Sequence, residues 1–163
     1  FDGCATPTEA AKSPKTVKTE AKLKKACSNK DAQACTTLGT LYYYNKDYSQ
    51  MKNYWIKGCN LNDGLGCSKL GSLYMHGGKG IKRNYKKGKQ FYEKACKLND
   101  CIGCTNLGAS YKEKNYLKAK KYFTKACNFE YCAPGCGALG GLLLLKGSKK
   151  DFMKAHKYFR KSY

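Results

Sequence analysis

The stretch CNLNDGLGCSKLGSLY, residues 59–74, decides the fold because its landmarks recur in the same order along the chain. Two cysteines stand eight residues apart in it, Leu70-Gly71 follows the second cysteine after two residues, and Tyr74 comes three residues after the glycine. The second cysteines of the four units are Cys35, Cys67, Cys104 and Cys136. Successive units are therefore offset by 32, 37 and 32 residues, which is the signature of a repeat array.

A second helical segment fits between each Leu-Gly pair and the next cysteine pair. Its apolar positions recur at i, i+3, i+6 and i+7, which is one face of an α-helix. Large aromatic residues alternate there with small ones. The four sets are Tyr48, Met51, Tyr54 and Trp55; Tyr85, Gly88, Phe91 and Tyr92; Tyr116, Ala119, Tyr122 and Phe123; Phe152, Ala155, Tyr158 and Phe159. Each unit is thus predicted to be two helices joined by a loop, short at 45–47 and 113–115 and longer at 77–84 and 146–150.

These motifs resemble the Sel1-like repeat, a relative of the tetratricopeptide repeat, and the added cysteine pairs are similar to those of the Helicobacter cysteine-rich protein family. The loop Gly77-Gly78-Lys79-Gly80-Ile81 is close to the Gly-x-Gly-Val loop of that repeat. The resemblance runs from about Thr16 to Tyr163. It implies an all-α fold, an α-α superhelix (solenoid) of about four two-helix repeats, each braced by a disulfide. We therefore predict a flexible N-terminal segment over residues 1–15 and the solenoid over residues 16–163.

The cysteines favour an oxidising compartment, so the protein is predicted to be secreted or periplasmic. There are eleven of them, and the only two histidines, His76 and His156, lie apart from the cysteine pairs, so no metal and no cofactor are expected. In the repeat register one cysteine ends a helix and the next begins the following helix, within reach of a disulfide. The predicted bridges are Cys27–Cys35, Cys59–Cys67, Cys96–Cys104 and Cys127–Cys136.

Three cysteines remain: Cys4, Cys101 and Cys132. Cys101 and Cys132 occupy the same offset in adjacent units and are candidates for a fifth bridge, although equivalent points on stacked helices tend to lie ~8–10 Å apart. Phe1-Asp2-Gly3-Cys4 is a loose lipobox followed by a polar stretch, so a lipid anchor on Cys4 is one hypothesis and an unanchored protein is the other. No apolar run approaches the ~18 residues that span a bilayer.

The formal net charge of +21 favours contact with an acidic partner, or else reflects the solvated faces of lysine-rich helices. The densest basic stretch is 79–89. Nucleic acid is not the expected partner, because arginine is nearly missing and disulfides place the protein away from it.

The family resemblance implies penicillin binding and weak β-lactamase activity, and serine enzymes of that chemistry need a Ser-x-x-Lys motif. Ser49-Gln50-Met51-Lys52 is a Ser-x-x-Lys motif, which would make Ser49 the nucleophile with Lys52 one helical turn away. The Lys-Thr-Gly and Ser-Asp-Asn elements of such enzymes do not occur. An enzyme therefore stays an alternative to a binding protein.

The binding surface is expected on the first helix of each unit, which lines the concave groove in tetratricopeptide-like solenoids. Transferring that register gives the predicted groove residues Thr36, Thr40, Tyr43, Ser68, Ser72, Met75, Thr105, Ala109, Lys112, Gly137, Gly141 and Leu144. Small hydroxyls beside Tyr and Met suit an extended peptide or a glycan. We predict an extracytoplasmic scaffold for a protein, a peptide or a cell-envelope glycan, and the apolar run Leu142–Leu145 is expected to be covered by something. The sequence does not specify the oligomeric state.

Overall fold

The structure, a computed structural model, describes residues 14–146 and 149–161, which form nine helices and no β-strand. The helices are α1 (Pro14–Ser28), α2 (Ala32–Tyr44), α3 (Tyr48–Asn60), α4 (Gly64–His76), α5 (Tyr85–Lys97), α6 (Cys101–Tyr111), α7 (Tyr116–Cys127), α8 (Ala133–Lys146) and α9 (Lys149–Lys161). The four predicted units are α2–α3, α4–α5, α6–α7 and α8–α9. The all-α repeat fold predicted from the sequence is confirmed.

The helix starts follow from the residues that precede them. Side-chain oxygens at the N-cap positions accept hydrogen bonds from backbone amides of the first turn, which satisfies groups that have no partner within the helix. These N-cap residues are Asp31, Asp47, Asp63, Asn84, Asp100 and Asn115. A residue with a left-handed backbone precedes the N-cap at the turn before each first helix, at Lys30, Asn62, Asn99 and Tyr131. The tight turns between units are therefore built the same way four times.

The helices form two layers. Each first helix packs on the second helix of its own unit, and the first helices also contact one another in the order α2, α4, α6 and α8. Successive second helices make no comparable contacts in the described chain. Since the first helices lie closer together than the second helices, they form the inner layer of the array.

Each Leu-Gly pair serves the packing of its unit. The leucines Leu38, Leu70, Leu107 and Leu139 are at most 1% exposed. The glycines leave room for an aromatic ring of the second helix, and an added Cβ at Gly71 would overlap the ring of Tyr92. The other glycine and ring pairs are Gly39 with Trp55, Gly108 with Phe123 and Gly140 with Phe159. The glycine is thus required by close approach of the ring to the backbone.

A second aromatic contact joins the two helices in each of the first three units. The tyrosine three residues after each glycine stacks on a ring of the second helix, with centroids 5.4–5.7 Å apart. The pairs are Tyr42 with Tyr54, Tyr74 with Phe91 and Tyr111 with Tyr122. In the fourth unit Leu143 replaces the tyrosine and is 1% exposed.

Four disulfides each connect the end of one helix to the first turn of the next first helix; three of them join consecutive units, and Cys27–Cys35 joins α1 to the first unit. They are Cys27–Cys35, Cys59–Cys67, Cys96–Cys104 and Cys127–Cys136, with Cα atoms 4.3–4.7 Å apart. A fifth disulfide joins Cys101 to Cys132, with Cα atoms 5.7 Å apart. The spacing of ~8–10 Å expected for stacked helices does not apply, because Cys132 lies in the turn before α8 and not on a helix.

Two sequence expectations meet a different outcome. Leu142 and Leu143 are buried in the chain's own core, and only Leu144 and Leu145 are exposed, so the fourth unit itself covers half of the apolar run. The connection between α8 and α9 is shorter than the predicted loop 146–150, since the two helices reach Lys146 and Lys149. The division into a flexible segment 1–15 and a solenoid 16–163 stays a prediction. The candidate lipidation site Cys4 lies outside the described residues and stays a prediction.

Candidate binding site on the first helices

The predicted groove is only partly accessible. Thr36 and Ser68 are 1% and 2% exposed, so their side chains cannot reach a ligand. Each follows the second cysteine of its unit, where consecutive units approach so closely that a Cβ on Gly66 would come within 2.6 Å of the Thr36 hydroxyl. The groove residues that are partly or largely exposed are Thr40, Tyr43, Ser72, Met75, Thr105, Ala109, Lys112, Gly137, Gly141 and Leu144.

A cavity of about 280 Å³ opens beside α2 and α4 and includes two of these residues, Tyr43 and Ser72. The other lining residues are Trp55, Lys69, Leu73, His76, Gly77 and Lys79. They come from α2, α3, α4 and the loop 77–84, so four segments of the chain build this site. We call it the aromatic cavity.

One wall of the aromatic cavity consists of stacked rings. The centroids of Tyr43 and Trp55 lie 6.1 Å apart with an interplanar angle of 25°. The indole Nε1 of Trp55 donates to Thr40 Oγ1 at 3.4 Å, and the Thr40 hydroxyl donates to the Thr36 carbonyl at 3.0 Å. Thr40, predicted as a groove residue, therefore positions the tryptophan ring. Trp55 is only 5% exposed and Tyr43 is 36% exposed, so Tyr43 presents most of the ring surface that a ligand can contact.

The aromatic cavity also carries positive charge, which lies against its rings. The ammonium of Lys79 lies 3.5 Å from the centroid of Tyr43, and that of Lys69 lies 5.3 Å from the centroid of Trp55. Hydrogen bonding to Lys79 and its positive charge lower the pKa of the Tyr43 hydroxyl. No aspartate or glutamate is among the lining residues. The site therefore combines ring surface with positive charge, which suits a ligand that carries carboxylates or another anionic group.

The Gly-rich loop after α4 brings Lys79 to the aromatic wall. Gly77 has a φ of 70°, and an added Cβ there would lie 3.1 Å from the backbone of Arg83. Gly78 and Ile81 exchange backbone hydrogen bonds at 2.9 and 3.0 Å, which closes the loop. The insertion seen in the sequence thus has a defined conformation that holds a lysine against α2 of the preceding unit.

The predicted groove residues include only Tyr43 and Ser72 of this site, and six other lining residues are not among them: Trp55, Lys69, Leu73, His76, Gly77 and Lys79. In the sequence, Trp55 is one position of a helical face and Lys79 belongs to the basic stretch 79–89, and neither pattern indicates a shared site. His76 is exposed and its Nδ1 is 3.0 Å from the Ser72 carbonyl, which agrees with a capping position. The available signal was Trp55, which is the single tryptophan of the chain and stands where the other units carry Tyr or Phe.

The Ser-x-x-Lys motif does not form a shared pocket. Ser49 is exposed in the first turn of α3, and it lines neither the aromatic cavity nor the separate cavity that Lys52 lines. A serine nucleophile needs its activating group within hydrogen-bond reach and its reaction screened from water. The described geometry provides no such enclosure around Ser49.

Over residues 14–146 and 149–161, no three histidine, cysteine, aspartate or glutamate side chains gather as metal ligands would. In the same part of the chain, no helix has the length and apolar character needed to cross a bilayer.

The geometry first defines a class: a helical repeat protein whose consecutive two-helix units are joined by disulfides. The Sel1 repeat family model matches residues 64–100, 104–128 and 133–163. Among solved structures, cysteine rich protein B of Helicobacter pylori is 32% identical with a TM-score of 0.58, and the match covers 88% of this chain and 97% of that protein. The chain therefore belongs to the Sel1 repeat family and, within it, to the Helicobacter cysteine-rich proteins.

Two further solved structures share the fold over 88% of this chain. One is a protective antigen present in uropathogenic Escherichia coli strains, with 24% identity and a TM-score of 0.77. The other is a Sel1 repeat protein from Oxalobacter formigenes, with 21% identity and a TM-score of 0.75. The chain spans 32% of the first protein and 60% of the second. No curated protein matches the chain at a significant level.

Proposed function

We propose that this protein is a secreted or periplasmic scaffold that binds an acidic, extended segment of a partner protein through the aromatic cavity. The observation that carries the proposal is the pairing of the Tyr43–Trp55 wall with Lys69 and Lys79 in a site without carboxylates. Sel1 repeats typically mediate protein–protein interactions, and the disulfides fit an extracytoplasmic protein.

The chemistry of the cavity favours a peptide that carries carboxylates. The two ammonium groups attract acidic side chains, and the ring wall contacts the apolar parts of the neighbouring residues. The Ser72 side chain, from the first helix of the second unit, supplies a hydroxyl that can hydrogen-bond an extended backbone. The net charge of +21 would speed the encounter with an acidic partner.

The fluorescence of Trp55 tests this proposal directly, because it is the only tryptophan and it lines the cavity. A glutamate-rich peptide is expected to change the emission in a saturable way, and its glutamine counterpart is not. The double variant Lys69→Gln/Lys79→Gln is expected to weaken binding roughly tenfold or more. The matched control is Lys118→Gln/Lys121→Gln, which removes the same charge from α7.

Four outcomes would count against the proposal. If the glutamine peptide binds as tightly as the glutamate peptide, the carboxylates do not contribute to affinity. If the control variant weakens binding as much as the Lys69/Lys79 variant does, affinity depends on the net charge of the protein and not on these two lysines. Saturable binding of an acidic cell-wall oligosaccharide without any peptide binding would assign the cavity to a glycan. Hydrolysis of benzylpenicillin that disappears in Ser49→Ala would instead establish the enzymatic alternative.

A further inference from the structure

A second cavity lies on the other side of the Gly-rich loop and shares no lining residue with the aromatic cavity. Its volume is about 450 Å³. The lining residues are Lys52, Tyr74, Gly80, Ile81, Lys82, Arg83, Asn84 and Lys87. Half of them are cationic and none is acidic. We call it the basic cavity.

The four cations reach the basic cavity from three different elements. Lys52 belongs to α3, Lys82 and Arg83 to the loop, and Lys87 to the first turn of α5. In the described part of the chain, none of the four forms an ion pair with a carboxylate. Like charges repel, so gathering four of them in one concave site costs free energy unless a counter-charge fills it. Lysines on one solvated helix face would all come from a single element, whereas these four cations come from three.

The framework of the basic cavity is ordered by the chain itself. The backbone N–H of Asn84 donates a hydrogen bond to the backbone carbonyl of Tyr74 at 2.7 Å, which connects the end of the loop to α4. The ammonium of Lys87 lies 5.6 Å from the centroid of the Tyr74 ring, which is itself stacked on Phe91. The Arg83 guanidinium lies 5.1 Å from the ring of Tyr85. Two of the four cations are thus held against aromatic rings, which reduces the entropy lost when a ligand binds.

We propose that the basic cavity binds the phosphate group of a phosphate ester. A phosphate carries up to two negative charges on several acceptor oxygens, so it matches converging lysines and an arginine fork better than a single carboxylate does. Tyr74 and Ile81 line the same cavity and provide an apolar wall for the organic part of the ester. The phosphate belongs either to a soluble molecule or to a lipid headgroup, and the two sources are separable by experiment.

The first test is a calorimetric titration of the intact, oxidised protein with inorganic pyrophosphate, with sodium acetate as the carboxylate comparison. Pyrophosphate is expected to bind saturably, and acetate is not. The variant Lys82→Gln/Arg83→Gln/Lys87→Gln is expected to bind pyrophosphate at least about tenfold more weakly. The control Lys22→Gln/Lys25→Gln/Lys121→Gln removes the same charge from exposed positions of α1 and α7 and is expected to change affinity by less than about twofold. Unchanged helical circular dichroism establishes that both variants fold.

Binding to vesicles of phosphatidylcholine, with and without phosphatidylglycerol, distinguishes the two sources of the phosphate. The proposal is supported, with a lipid headgroup as the ligand, if the protein binds the anionic vesicles and pyrophosphate displaces it from them. The variant Lys82→Gln/Arg83→Gln/Lys87→Gln, called the loop variant, must then lose this binding. Pyrophosphate binding without vesicle binding supports it with a soluble phosphate. The proposal is overturned if pyrophosphate does not saturate, if acetate competes equally, or if the control variant weakens binding as much as the loop variant. Trp55 lies outside this cavity, so loss of the peptide response leaves this result unaffected.

Discussion

The hydroxyl of Ser68 donates a hydrogen bond to Oδ2 of Asp100, which ties the first helix of one unit to the N-cap of the first helix of the next. The same carboxylate oxygen accepts the Gly103 amide at 2.7 Å. Asp100 therefore starts α6 and fastens it to α4 with one atom. Because Ser68 is 2% exposed, water cannot replace the carboxylate as its partner.

Ser68→Ala is expected to lower the free energy of unfolding by roughly 1.5–3 kcal/mol, the range for buried hydrogen bonds to a charged group. Urea unfolding of the oxidised protein measures the loss. Ser49→Ala, which removes an exposed hydroxyl of α3, is the control and is expected to change stability by less than about 0.5 kcal/mol. Equal stability of the two variants would show that the Ser68–Asp100 bond contributes nothing.

The preceding unit carries the same two positions without the bond. Thr36 and Asp63 stand where Ser68 and Asp100 do, but among the described residues Thr36 Oγ1 and Asp63 Oδ2 are buried atoms with no hydrogen-bond partner. Thr36→Val, which replaces the hydroxyl by a methyl group of similar size, is therefore expected to cost less stability than Ser68→Ala does. The same urea series compares the two, and a larger loss for Thr36→Val would mean that the hydroxyl is bonded in solution.

The following unit replaces the hydrogen bond with a covalent one. Cys132 stands four residues before Cys136, as Asp100 stands four residues before Cys104, and it is bonded to Cys101 in the first turn of α6. The α6–α8 junction thus gains a disulfide at the position where the other junctions have an N-cap aspartate. In this register Cys132 corresponds to the N-cap Asp100 and not to Cys101, which is the first residue of α6.

Removing the extra disulfide by Cys101→Ala/Cys132→Ala is expected to destabilise the protein by about 3.5 kcal/mol, because it opens a loop of 31 residues. Opening a repeat disulfide by Cys59→Ala/Cys67→Ala is expected to cost about 2.5 kcal/mol, since that loop spans only eight residues. Chemical unfolding without reductant ranks the two variants. The reverse order would show that local strain or packing outweighs loop entropy.

Two glycines of first helices, Gly71 of a Leu-Gly pair and Gly141 next to one, are expected to respond in opposite ways to substitution by alanine. Gly71→Ala places a Cβ against the Tyr92 ring and is expected to destabilise by roughly 1–3 kcal/mol, the usual cost of overpacking. Gly141, on α8, has no heavy atom within 4 Å of an added Cβ, so Gly141→Ala is expected to stabilise by about 0.5–1 kcal/mol. Thermal unfolding distinguishes the opposite signs, and destabilisation by both would indicate that α8 packs more tightly than described.

The repeat was readable from the sequence because each packing contact uses residues at a fixed offset. A ring needs a glycine opposite it, and Gly71 and Tyr92 recur as a pair of types in every unit. The aromatic cavity was not readable, because it joins Tyr43, Trp55 and Lys79 across two units and depends on the loop conformation at Gly77. Periodicity assigns residues to helix faces, but it does not locate the cavities that form between units.

The transferred groove register failed at Thr36 and Ser68 for a related reason. That register identifies the face of each first helix that lines the concave groove, and both residues do lie on first helices. In this chain, small residues such as Gly66 and Gly103 let consecutive units approach until the first turn of that face is covered. In the first two units, Tyr43 and Ser72 in the later turns of the same face remain open to a ligand.

The Lys79–Tyr43 contact predicts a pH dependence of ligand binding at the aromatic cavity. Hydrogen bonding and charge from Lys79 lower the pKa of the Tyr43 hydroxyl, so this tyrosine ionises at lower pH than an ordinary tyrosine. The phenolate adds negative charge beside Lys79 and repels an acidic peptide. Affinity measured by Trp55 fluorescence is therefore expected to fall as the pH rises through the lowered pKa of Tyr43.

Two variants isolate this effect from the titration of the lysines. Tyr43→Phe cannot form the phenolate, so its peptide affinity is expected to persist to higher pH than that of the unaltered protein. Lys79→Gln removes the cause of the shift, so the phenolate absorbance assigned to Tyr43 by difference from Tyr43→Phe is expected to appear at higher pH. Identical affinity profiles for the unaltered protein and Tyr43→Phe would mean that lysine deprotonation alone governs binding, and that Tyr43 serves only as a ring surface.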